Sequence, residues 1–164
     1  DIPVDEAKTL VQQYHDRVPF VKGLMQGVTN RLNDKTSGGS VRSILGRKCR
    51  FDLWEPDTFA MNKALPYREA VQEYGPTTKL KRAYTYKALN RLIQASAADM
   101  TKKAMTDIYK TGKIPLIQIH DEVAMSVASR EEAENIATLM TNAVPLEVPN
   151  KCDIEIGPSW GEAE

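Results

Sequence analysis

Gln118-Ile119-His120-Asp121-Glu122-Val123 sets two adjacent carboxylates where the surrounding pattern asks for an apolar residue. Ile117, Ile119, Val123, Met125 and Val127 share one parity, so in an extended chain they form one core-facing stripe, and Asp121 falls on that parity. Burying an unpaired carboxylate costs several kcal/mol. Two resolutions are open, and both can hold together. The chain turns at His120-Asp121, making a hairpin of Pro115 to Val127 with the acids at its tip, or a cation sits there and takes the charge. Taken alone, an Asp-Glu pair reads more simply as the cap of a surface turn.

The neighbouring segments give this hairpin a setting. Leu80 to Tyr109 carries the longest helical pattern, with Leu89, Leu92, Ile93, Ala97, Met100, Ala104 and Ile108 on one side and Gly112 as the stop. Asn90 and Gln94 are four apart, hence one turn above each other, with Lys87 and Arg91 flanking that face. Amides so placed suit base-edge acceptors in the minor groove, where A·T and T·A look alike; an ordinary solvated face is the plainer alternative. Downstream, Ser129-Arg130-Glu131-Glu132 resembles a capping box opening a helix through about Asn142, and Asp153 to Ile156 reads as a last strand.

Toward the beginning, three-four spacing predicts a helix over Val4 to Arg17 after Pro3, and Pro19 starts a second, Phe20 to about Leu32, that ends in the loop Asn33 to Gly39. Ser40 to Leu45 and Lys48 to Leu53 read as a hairpin around Gly46-Arg47, whose Arg47, Lys48 and Arg50 are candidate phosphate contacts. Residues 52–79, with Pro56, Pro66, Gly75 and Pro76, read as an irregular insertion with one short helix. The expected fold class is α+β: a small, mainly antiparallel sheet covered by helices.

At 164 residues the chain is long enough for one ordinary domain. Lys plus Arg and Asp plus Glu are 22 each, and this zero net charge counts against a free-standing nucleic-acid-binding module. The charges are segregated, however. Bases concentrate in Arg42 to Arg50 and Lys79 to Arg91, and acids in Glu131 to Glu134 and near the C-terminus, which suits one DNA-facing side. Cys49 and Cys152 lack metal-type spacing and read as reduced thiols. No signal peptide or bilayer span is visible, so the expectation is a cytoplasmic protein with no membrane partner.

An Asn90-x-x-x-Gln94 helix, an apolar strand into His120-Asp121-Glu122 and a closing Gly157-Pro158-Ser159-Trp160 together resemble the carboxy-terminal palm of family A DNA polymerases, in particular the bacteriophage members. Gly39-Ser40-Val41-Arg42-Ser43-Ile44-Leu45-Gly46-Arg47-Lys48 is similar to the family's Gly-x-Val-x-Thr-x-x-Gly-Arg-Arg segment. These four motifs occur in family order over nearly the whole chain. The resemblance implies that residues 1–164 are the carboxy-terminal palm portion, with 1–35 a helical fingers/palm connection, and that the hairpin is catalytic.

It also implies roles. Asp121 would ligate Mg²⁺ directly, Glu122 would support it, and His120 would touch the primer terminus. Primer–template DNA and deoxynucleoside triphosphates would be the substrates, and the amino-terminal remainder of the polymerase, in the same chain or as a separate subunit, the partner. Two family elements are not in this sequence: the Asp-x-Ser-x-x-Glu strand with the first metal carboxylate, and the Arg-x-x-x-Lys-x-x-x-Phe-Gly-x-x-Tyr-Gly fingers helix. The two-metal site is therefore expected to be completed by a carboxylate outside this chain, which is expected to be inactive alone. Tyr86 stands where many members have an arginine, with Arg82 and Lys87 the nearest bases, and Lys48 stands where the family has a second arginine. Trp160 is expected to pack as core or lid over the sheet. The alternatives are a non-catalytic nucleic-acid-binding accessory domain derived from such a palm, and a metal-dependent nuclease, which would want more carboxylates than this cluster offers.

Overall fold

Pro3 stands immediately before α1 (Val4–Arg17), and Pro19 is the first residue of α2 (Pro19–Asn33), where a missing N–H costs nothing. The computed structural model describes residues 2–163, apart from the side chain of Lys35; Asp1 and Glu164, the ends of the expected 1–164 span, lie outside the described residues. Val28 and Leu32, one turn apart on α2, are buried, whereas α1 buries nothing and leaves Val4, Leu10, Val11 and Tyr14 exposed.

β1 (Ser40–Arg42) and β2 (Lys48–Arg50) form the expected hairpin, antiparallel with Val41 opposite Cys49. These two are buried and their neighbours are not, as strand alternation requires. Ser43 closes the turn: its N–H donates to the Arg47 carbonyl at 2.9 Å, and its hydroxyl accepts from the Arg47 N–H at 3.0 Å.

Residues 52–79 are more regular than expected. β3 (Leu53–Pro56) is the centre of a three-stranded antiparallel sheet between β4 (Leu65–Pro66) and β5 (Leu80–Arg82), and α3 (Tyr67–Tyr74) is the one short helix. The helix expected from Leu80 begins only at α4 (Ala88–Lys110). Leu80 and Arg82 are half-buried and Lys81 is exposed, a period-two pattern, and Tyr84 then breaks the path with φ 59 before a short 3₁₀ turn, Thr85–Lys87.

The single apolar stripe expected on α4 divides in two. Ala88 and Asp99, three turns apart, are buried on one side, while Thr101, Ala104 and Ile108 are buried on the opposite side; Ile93 and Ala97 are exposed. Gly112, at φ 85, ends the helix as expected.

β6 (Ile117–Ile119) and β7 (Glu122–Ala124) pair antiparallel, and α5 (Arg130–Asn142) follows. Ser129 caps α5 by accepting from the Glu132 N–H at 3.1 Å, and the Glu132 carboxylate accepts from the Ala128 N–H at 2.7 Å. Asp153 to Ile156 is not a strand: a strand needs a partner, and among the described residues none pairs with it. Trp160 is 57% exposed in the 3₁₀ turn Trp160–Glu162, so it is neither core nor lid here.

The fold is α+β, with three small antiparallel sheets among the described residues. It divides into two compact units, Asp1–Ile93 and Gln94–Glu164, and the boundary falls inside α4. The first unit buries Leu32, Val41, Phe51, Ala70 and Ala83, and the second Ile108, Ala133, Ile136 and Val144. No described helix is long and apolar enough to cross a membrane.

Candidate carboxylate hairpin and nucleic-acid face

Ile119 pairs with Glu122, so His120 and Asp121 alone make the turn between β6 and β7. A two-residue turn forces unusual backbone angles, and His120 takes them at φ 53, where a side chain is strained by about 1–2 kcal/mol. Gln118 supports the strained residue by donating its side-chain amide to the His120 carbonyl. The parity conflict at Asp121 is thus met by the turn. Asp121 and Glu122 are exposed at the tip, and among the described residues neither carboxylate has a hydrogen-bond or ion-pair partner. The stripe beneath is only partly covered: Val123, Met125 and Val127 are half-buried, but Ile117 and Ile119 are exposed.

Mg²⁺ takes six oxygens, keeps several waters, and uses one or two carboxylates together with substrate phosphates. Adjacent, unpartnered carboxylates fit that demand as one side of an open site. They do not make a cage, for no group of three or more His, Cys, Asp or Glu among the described residues could hold a metal ion.

Asn90 and Gln94 are exposed on one face of α4. Lys87, at the end of the preceding 3₁₀ turn, sets its ammonium 5.1 Å from the Tyr84 ring and 5.5 Å from the Tyr86 ring. Arg91 is turned toward the chain after β2: its guanidinium donates to the Arg50 carbonyl at 3.2 Å and lies 4.9 Å over the Phe51 ring. Arg47, Lys48 and Arg50 are exposed on the β1–β2 hairpin. Within the first unit, therefore, Arg91 and Arg50 come together.

Arg82, one of the two bases nearest Tyr86, is engaged elsewhere. It donates to the Phe51 carbonyl at 2.8 Å, lies 4.5 Å over the Trp54 ring and covers the buried Gly39. That leaves Lys87 as the available cation beside Tyr86. Such contacts join residues distant in sequence, so no local spacing announced them. Bonding to Lys79, aided by Lys81, holds Asp57 below the usual carboxylate range, and bonding to Lys113, aided by the Ala128 N–H, does the same for Glu132.

The model of DNA polymerase family A matches residues 1–162. A DNA-directed DNA polymerase of Pseudomonas phage M6 is 34% identical over 158 residues, which are 96% of this chain and 20% of the relative. The thermostable DNA polymerase I of Thermus thermophilus is 28% identical over 171 residues, 99% of this chain and 18% of the relative. Among solved structures, the POL domain of Pol1 from M. smegmatis, in complex with DNA primer-template and dNTP, superposes with a TM-score of 0.62 at 30% identity, covering 90% of this chain and 24% of that one. The chain thus spans about a fifth of the length of the curated relatives it matches. With the family model matched over residues 1–162, the chain belongs to DNA polymerase family A.

Proposed function

We propose that this chain is the carboxy-terminal palm portion of a DNA-directed DNA polymerase, supplying the second carboxylate motif and primer–template contacts for two-metal nucleotidyl transfer in DNA replication. The observation that carries this reading is the exposed Asp121-Glu122 pair at the tip of the β6–β7 hairpin, in a family A chain. Asp121 and Glu122 would hold Mg²⁺, which when bound acts as a Lewis acid on phosphoryl oxygens. His120 would contact the primer terminus. Asn90 and Gln94 would accept any sequence through minor-groove hydrogen bonds. Arg47, Lys48 and Arg50 would meet phosphates, with Lys87 in place of the arginine missing at Tyr86. Arg91, engaged with Arg50 and Phe51, would position the β1–β2 hairpin rather than reach far into solvent.

Residues 1–35 would connect fingers and palm. The amino-terminal remainder would bring the first metal carboxylate and the grip on the incoming deoxynucleoside triphosphate, so this chain does not polymerise alone. The enzyme would work in the cytoplasm, the host's if the gene is a phage's.

The test separates chemistry from binding in the complete polymerase. Asp121→Ala is expected to lower turnover by several orders of magnitude with little change in primer–template affinity. Gln94→Ala removes one neutral hydrogen bond, worth about 0.5–1.5 kcal/mol, and is expected to weaken DNA engagement modestly with metal dependence intact. Near-normal turnover of Asp121→Ala at the same Mg²⁺ requirement would hand the chain to the accessory, DNA-binding reading.

A further inference from the structure

Trp54, Tyr67, Val71, Pro76, Thr78 and Leu80 line an open pocket of about 370 Å³ in the first unit, which the proposed nucleotidyl transfer does not use. Its aromatic wall is ordered. The Trp54 and Tyr67 rings meet edge to face at 5.1 Å, and the Arg82 guanidinium over Trp54 is held by its bond to the Phe51 carbonyl. Tyr67 is 55% exposed, so its ring is half available to a ligand.

Charge is sorted around this wall. On β3 the pocket-lining Trp54 pairs with Arg82, whereas Glu55 pairs with Lys81, and strand alternation sends that second pair to the other face of the sheet. On α3, Tyr67 and Val71 line the pocket; Glu69 and Glu73, at the same four-residue spacing, lie on the far side of the helix, while Arg68 adjoins Tyr67. Asp57, the remaining acid nearby, is paired with both Lys79, at 2.9 Å, and Lys81, at 3.6 Å.

An aromatic pocket edged by Arg68 and Arg82, with its carboxylates turned away or neutralised, is complementary to a polyanion with flat, apolar faces. We propose that the pocket binds an unpaired base of single-stranded DNA, stacked on Tyr67 beside Trp54, with a flanking phosphate drawn to Arg68. Stacking accepts every base because each has a π-face, and the cations make the binding salt-dependent. The volume lies near the lower end of the roughly 300–1,000 Å³ usual for ligand pockets, which suits one base with its sugar. Neither Asp121 nor a metal takes part, so the site stands or falls independently of the proposed catalysis.

The probe is an oligo-dT strand carrying one 5-iodouracil, irradiated with the intact polymerase that contains this chain and mapped by peptide mass spectrometry. Cross-links are expected at Trp54 or Tyr67, with a yield that drops as salt rises. Tyr67→Ala is expected to lower that yield about tenfold, in keeping with the loss of one stacked base, and the exposed charge reversal Arg68→Glu to lower it as well, with Tyr67→Phe close to wild type. Primer extension on a template with a short overhang should be unchanged in all three, which shows that each variant is folded. Cross-links confined to residues outside 53–82, or a yield that neither Tyr67→Ala nor Arg68→Glu alters, overturn the proposal. Labelling of the same residues by a photoreactive proline-rich peptide, with none by oligo-dT, overturns it in favour of a protein partner.

Discussion

Replacing Gly39 by alanine tests how the first unit is held together. Gly39 is buried at φ +67, and a β-carbon there would lie 2.1 Å from Arg82 Cζ and 2.2 Å from Nη1. The left-handed backbone costs alanine about 1–2 kcal/mol by itself. The guanidinium is the mobile end of a long side chain, so it swings aside rather than forcing the backbone apart, but in moving it gives up two contacts. Leaving the Trp54 ring costs about 0.5–2 kcal/mol and losing the bond to the Phe51 carbonyl about 0.5–1.5 kcal/mol, for a total of roughly 2–5 kcal/mol with the backbone. Urea unfolding followed through Trp54 fluorescence, in a Trp160→Phe background, reads the loss. In an Arg82→Ala background the same substitution should cost only the backbone part, about 1–2 kcal/mol. Equal costs in the two backgrounds, or a loss below about 0.5 kcal/mol in the first, would refute the reasoning, because Arg82 would then not be pinned between Gly39 and Trp54.

The purified chain is expected to give no primer extension with Mg²⁺ and all four deoxynucleotides; robust extension free of contaminating enzyme would show that two exposed carboxylates suffice. Because α1 buries nothing and Ile117 and Ile119 are exposed, the chain alone should be poorly soluble or marginally stable, and co-expression with the amino-terminal remainder should rescue it. A monomer that unfolds sharply and gains nothing from that partner would count against the need for one. Glu132 is held below the ordinary glutamate value of 4.5 by Lys113, so its contribution to stability is present above that pH and is lost as pH falls through the lowered value. Lys113→Met should therefore flatten the acid side of the unfolding profile, measured as urea midpoint against pH, and an unchanged profile would contradict the pairing.

Much of this architecture was legible because it rests on short-range rules. Three-four spacing marked α1 to the residue, Ser129 marked the start of α5, and the clash of Asp121 with its parity marked the His120-Asp121 turn. What escaped depends on partners distant in sequence. Leu80-Lys81-Arg82 has helical neighbours but pairs with β3, and Asp153 to Ile156 has strand-like residues but no strand beside it. Asp99 is buried because of what surrounds it in space, although its type argues for exposure. The stripe of Ile117 and Ile119 shows the limit from the other side, since a pattern encodes a face that needs covering without supplying the cover. At the site, the acids and amides were readable by type and spacing, whereas the engagement of Arg82 and Arg91 with Trp54 and Phe51 was not.

The division of the sheet into three has a kinetic consequence. Every ladder but one joins strands that are neighbours in chain order, and the exception, β3 to β5, closes over β4 and α3, which lie between them in the chain. Loop-closure entropy is therefore small for each hairpin, and contacts that are local in sequence form early and fast. A ribosome extending the chain by roughly 5–20 residues per second works far more slowly than the roughly 1–10 μs a hairpin needs to close. Each small sheet can thus be complete before the next segment is made, and the acidic turn can take shape before its function has anything to act on.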